Sequence, residues 1–111
     1  MSEPKKDNFL HCPELLHVVQ RIVAFVQPDV VYLYNQRINA KDEITSFKLC
    51  LVADVADKSA AERTIYLQID CDIPFDILLY TRAEWQDLTQ NATSFAYKIQ
   101  QSGTVVYDGQ A

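Results

Sequence analysis

Apolar residues recur along this chain in two rhythms. Leu15, Val18, Val19, Ile22, Val23 and Val26 follow the 3.6-residue turn of a helix, and Pro13-Glu14 just ahead of them suits a first turn. The spacing predicts a helix that Pro28 ends. Val30, Val31, Tyr32, Leu33 and Tyr34 then form an unbroken β-favouring run, the pattern of a strand covered on both faces. Residues 35 to 45 are polar and read as a loop. From Ser46 to Asp54 the rhythm becomes two: Phe47, Leu49 and Leu51 alternate onto one face, and Lys48 points to the other.

The segment from Ser59 to Cys71 fits both rhythms, and the capping-box spacing of Ser59 and Glu62 favours a helix. Pro74 to Tyr80 reads as a third strand. Thr81 and Glu84 repeat the capping-box spacing, so a short helix with Trp85 and Leu88 is expected next. A further helix from about Thr93 to Gln101 should end at Ser102-Gly103, with Gly103 as a left-handed cap. Val105 to Tyr107 add a short last strand. Helix, strand, strand, helix, strand, helix, helix, strand is the order of an α+β fold, a small mixed sheet flanked by helices.

Length and composition set the scale. With 111 residues, 49% of them hydrophobic, the chain suits one compact domain, placed at residues 13–108 between a flexible segment 1–12 and a tail 109–111. The net charge of −5 and the lack of a basic stripe disfavour nonspecific nucleic-acid binding, which needs cations to displace counterions. The opening Met-Ser-Glu-Pro-Lys-Lys-Asp-Asn has no apolar run, and no stretch approaches the length of a membrane span, so the expected location is cytoplasmic and off the membrane. Cys12, Cys50 and Cys71 are odd in number and widely spaced, which reads as buried thiols. Asn91-Ala92-Thr93 matches a glycosylation sequon but reads here as a helix start.

Few residues bear obvious chemistry. Asp70, Asp72 and Asp76 form the one dense acidic cluster; without a glycine for a tight calcium loop, Asp70 and Asp72 read as solvated residues at a helix end. His11 and His17 lack an Asp or Ser partner at catalytic spacing and read as structural. The aromatic residues read mainly as core, with Tyr34 and Trp85 as candidates for an interaction patch.

The order of elements and several short matches resemble the minimal nucleotidyltransferase domain, a small relative of DNA polymerase β-type transferases. Its signature runs from a strand ending Leu-Phe into Gly-Ser-x-Ala-Arg-Gly, then to Ser-Asp-x-Asp-Leu on the next strand. Leu33-Tyr34 match the strand end, Arg37 the basic residue and Ser46 the serine before the first carboxylate. Pro74-Phe75-Asp76 through Thr81, and Ser94-Phe95 through Tyr107, are similar to later parts of the family, so the likeness spans about residues 13 to 108. What is missing is the chemistry. Asn35-Gln36 stand where the family has Gly-Ser, Asn39 and Ala40 replace a second Arg and Gly, and Phe47 and Leu49 occupy the places of the paired carboxylates.

Such transferases hold two magnesium ions with three carboxylates, two of them on alternate residues of one strand. Phe and Leu cannot ligate a hard cation, which leaves Asp76 alone as a vestigial third carboxylate. The resemblance therefore implies a catalytically inactive nucleotidyltransferase-like domain that acts by protein interaction or self-association, as small transferase domains pair with a partner protein. Asp76 is expected to lie beside Lys48 or Arg37 in an ion pair. Two alternatives accompany this reading: a residual transferase in which Asp70 or Asp72 joins Asp76 in a rebuilt magnesium site, and a metal-free nucleotide sensor using Asn35, Gln36 and Arg37. No cofactor is expected outside the first alternative.

Overall fold

The computed structural model describes residues 8–109. The flexible segment expected over 1–12 and the tail over 109–111 lie partly outside these residues; within them, Asn8–His11 form a 3₁₀ turn, Phe9 packs on the core and Cys12 is buried. Four α-helices and four strands follow among the described residues: α1 (Pro13–Val26), β1 (Val30–Ile38), β2 (Ile44–Val52), α2 (Lys58–Gln68), β3 (Phe75–Tyr80), α3 (Arg82–Leu88), α4 (Phe95–Ser102) and β4 (Thr104–Asp108). The fold is α+β. The sheet runs β3-β2-β1-β4, with β1 antiparallel to β2 and β4, and β2 parallel to β3.

Strand alternation divides the core in two. Val31, Leu33, Phe47, Leu49, Leu51 and Leu79 point to one face, which α1 covers with Leu15, Val18, Val19 and Ile22 and α2 with Ile65. Tyr32, Cys50 and Val52 point to the other, beneath Trp85 of α3 and Ala96 and Ile99 of α4. Burial on both sides explains the unbroken apolar run of β1 and the four consecutive buried residues Leu49 to Val52.

α1 keeps its expected limits: Pro13 opens it, and Gln27 closes it in the left-handed region (φ 49°), its N–H donating to the Val23 carbonyl ahead of Pro28. Thr81 and Glu84 form the expected reciprocal capping box on α3. Three local expectations need correction. β1 does not stop at Tyr34 but runs to Ile38, so the loop expected over 35–45 shrinks to residues 39–43. Gln36 and Ile38 continue the alternation onto the α1 face, and Asn39 closes the hairpin, its Oδ1 accepting from the N–H groups of Lys41 and Glu43. α2 is capped by Asp57, whose carboxylate accepts from the Ala60 N–H at 3.1 Å, rather than by a Ser59–Glu62 box. Gly103 is extended (φ −73°, ψ 157°), not left-handed. Its requirement is space, because a Cβ there would sit 2.6 Å from the Ile99 carbonyl oxygen.

Polar ties lock helix ends to strand ends. Arg82 forks onto Asp29 with contacts of 2.8 and 3.0 Å, joining the start of α3 to the residue before β1. Glu84 accepts from the Thr81 N–H and from Lys58 at 3.0 Å, joining α3 to α2.

Gly103→Ala should destabilise the fold by about 1–3 kcal/mol, since a backbone oxygen cannot move aside as a side chain can; urea unfolding measures it. The Arg82 hydrogen bonds hold the Asp29 carboxyl below its ordinary value, so its contribution is present above the unfolded carboxylate value and fades as pH falls through the depressed one. Asp29→Asn should therefore flatten the loss of stability below roughly pH 4, as thermal melts across an acid series would show.

Candidate functional site

The second sheet face is only half covered. β1 and β2 each have nine residues, about 30 Å of strand, whereas α3 and α4 have seven and eight, about 10 to 12 Å of helix. Both helices pack over Tyr32, Cys50, Val52, Leu78 and Tyr80. The other half of that face is left open.

Register decides which side chains stand there. A bulge at Tyr34 shifts β1 by one residue, so Leu33 pairs with Leu49 but Asn35 pairs with Lys48, Gln36 with Phe47 and Arg37 with Ser46. In the parallel pairing with β3, Phe47 lies beside Phe75 and Lys48 beside Asp76. Ring contacts agree: Phe47 stacks on Phe75 with centroids 5.7 Å apart, and Phe75 in turn on Tyr66 of α2 at 5.8 Å. Asn35, Arg37, Ser46, Lys48 and Asp76 thus share the open half-face, whereas Gln36, Phe47 and Leu49 share the face beneath α1 and α2.

This placement divides the residues singled out by the sequence. Phe47 and Leu49, at 1% and 0% exposure, lie inside the core, and Asp76 is exposed on the opposite side of the sheet. Carboxylates at positions 47 and 49 would face away from Asp76, so the three positions do not fit a magnesium pair. Asp70 and Asp72 sit in the turn between α2 and β3, exposed, and among the described residues no group of three His, Cys, Asp or Glu side chains is placed to hold a metal ion. Asn35, Gln36 and Arg37 form a strand instead of a phosphate-cradling turn, and Gln36 points away from the other two, its Oε1 buried without a hydrogen-bond partner. The ion pair expected for Asp76 is not formed with Lys48 or Arg37.

At the border of the covered and open halves lies a small cleft of about 220 Å³, lined by Tyr34, Asn35, Lys48, Phe95, Lys98, Ile99 and Ser102. Phe95 meets Tyr34 edge to face, with centroids 5.5 Å apart, and is itself exposed. Burial, with smaller contributions from neighbouring Cys50 and Asp76, pushes the Tyr34 phenol above its ordinary value, so it stays a neutral donor at physiological pH. Among the described residues, three cationic side chains, Arg37, Lys48 and Lys98, stand on or beside the open face with the carboxylate of Asp76. On a chain of net charge −5 this is a local reversal of sign.

Phe95, Lys98 and Ser102 were not anticipated as site residues. Their spacing on α4 was the available signal: they form one stripe beside the buried Ala96 and Ile99. Trp85, considered for an interaction patch, is buried between Tyr32 and Tyr80 instead. The cysteines offer no nucleophile at this site, since burial raises the Cys50 thiol to about 12 and also raises that of Cys12. A larger cleft of about 860 Å³ lies between the start of α1 and the hairpin turn, lined among others by His11, Cys12, Glu14, Asp42, Glu43 and Asp72. The Cys12 thiol there donates to Glu14 at 3.7 Å and is kept protonated by burial.

The chain matches no protein-family model, no curated protein and no solved structure. Among the described residues no helix is long and apolar enough to cross a membrane.

Phe47→Ala should cost about 3–5 kcal/mol by opening a cavity beneath the two helices. Phe47→Asp should leave the chain largely unfolded without any magnesium affinity, because the carboxylate would be desolvated and unpaired. Far-ultraviolet circular dichroism with and without magnesium checks both; a folded, magnesium-stabilised Phe47→Asp variant would contradict the assignment of faces.

Proposed function

We propose that this domain is a non-catalytic, nucleotidyltransferase-like interaction module, which docks a protein partner, or a second copy, on the open half of its sheet. The observation that carries the reading is the sorting of side chains by face. The positions aligned with catalytic carboxylates are apolar and lie under α1 and α2, where their burial contributes roughly 2–3 kcal/mol each to folding. Asn35, Arg37, Lys48 and Asp76 lie accessible on the other face, beside the Tyr34–Phe95 pair. Tyr34, Phe95 and Arg37 on or beside this face are of the residue types enriched at interaction surfaces. The three cysteines are all free thiols, which supports placing the protein in a reducing, cytoplasmic setting.

Isothermal titration with ATP, run with and without magnesium alongside a pyrophosphate-release assay, tests the absence of catalysis. The reading predicts no magnesium-dependent heat and no pyrophosphate. Magnesium-dependent binding with release of pyrophosphate would restore the transferase assignment. Tight binding without metal would instead favour a nucleotide sensor.

A further inference from the structure

The geometry points to an acidic peptide segment of a partner protein as the occupant of the cleft between α4 and the open sheet: one carboxylate held between Lys48 and Lys98, and a neighbouring apolar side chain laid against Phe95 and Tyr34. This rests on the interaction reading above and names its chemistry.

Charge sets the sign of the occupant. The cleft carries Lys48 and Lys98 and no acid among its lining residues, and Arg37 stands on the same open face. Asp76 stands beside Lys48 in the β2–β3 register but is not ion-paired with it, so the Lys48 ammonium is available to an incoming anion. Long-range attraction of an acidic segment to this patch would speed encounter, and short contacts would fix register.

Size argues against a nucleotide-sized ligand, and the apolar lining favours a peptide over a bare anion. At about 220 Å³ the cleft is smaller than the roughly 300–1,000 Å³ of typical ligand pockets, and suits one or two side chains. The start of α4 is already capped by the Ser94 hydroxyl, which accepts from the Tyr97 N–H at 3.0 Å. Tyr34, Phe95 and Ile99 supply the apolar wall that a bare inorganic anion would leave unused. Asn35 and Ser102 at the rim can hydrogen-bond to a peptide backbone.

The test is a ¹H–¹⁵N NMR titration of the full chain with acetyl-Glu-Phe-Glu-amide, its uncharged isostere acetyl-Gln-Phe-Gln-amide, AMP and inorganic phosphate. The acidic peptide should shift the amides of Asn35, Lys48, Phe95 and Lys98, and bind about tenfold more tightly than the isostere. Lys48→Gln and Lys98→Gln should each weaken it about two- to fivefold, as expected for an exposed ion pair, whereas Arg63→Gln on α2 should not. Equal binding of the isostere, tighter binding of AMP or phosphate at the same amides, or no shift in the cleft at millimolar peptide each overturns the proposal. Shifts of these amides on simple dilution, without peptide, would assign the cleft to a second copy and overturn it as well. Tighter binding of AMP would also count against the interaction reading, in favour of a nucleotide sensor; the other results leave that reading standing, and it fails if the ATP titration shows nucleotide binding or turnover.

Discussion

The rest of the structure depends on β2 being a strand with no free face along its second half. Leu49 and Leu51 are sealed by α1 and α2, Cys50 and Val52 by α3 and α4, and both neighbouring strands bond to its edges. A strand in that position has to be apolar at consecutive residues. That requirement gives Phe47 and Leu49 a purely mechanical explanation: they are the continuation of the core along the α1 face, where a charge could not be solvated.

The same strand becomes one-sided towards its start. The helices on the second face are too short to follow nine-residue strands to their ends, so beyond Cys50 the exposed side must be polar, and Lys48 and Ser46 meet that need. Asn35 and Arg37 on β1, and Asp76 on β3, answer the same demand from the adjacent strands. Polarity here is a consequence of missing cover. What goes beyond that minimum is the aromatic edge of Tyr34 and Phe95 and the excess of cations on an acidic chain, and those two features carry the functional reading.

Much of the fold was legible in the sequence because α1 and α3 announce themselves locally. The 3.6 spacing and Pro13 mark α1, and Thr81 with Glu84 mark α3; both are decided within a few residues of chain. The end of β1 was not legible, because a strand whose outer face is bare shows polar residues at Asn35 and Arg37 and looks like loop. Gly103 was assigned the wrong reason for being glycine, since a clash with Ile99 one turn earlier is invisible until the helix and strand are placed. The cap of α2 was misplaced by two residues because Asp57 and Ser59 are both competent caps.

The site was legible in part. Asn35, Arg37 and Asp76 were singled out by alignment to a motif and Lys48 by strand alternation, and they do gather on one surface. Their faces depend on a bulge at Tyr34 and on a parallel register that no local pattern encodes: Asp76 does stand next to Lys48 as expected, though without the ion pair, and on the side opposite Phe47 and Leu49, the positions it was aligned with. Lys98 and Phe95 reach the site only because α4 returns across the sheet. Site-resolved thiol labelling, read by peptide mass spectrometry, tests this division of faces most directly, using the variants Lys48→Cys, Asp76→Cys and Leu49→Cys. Rapid modification at 48 and 76 with protection at 49 is the predicted result; equal labelling of 49 and 76 would contradict the account.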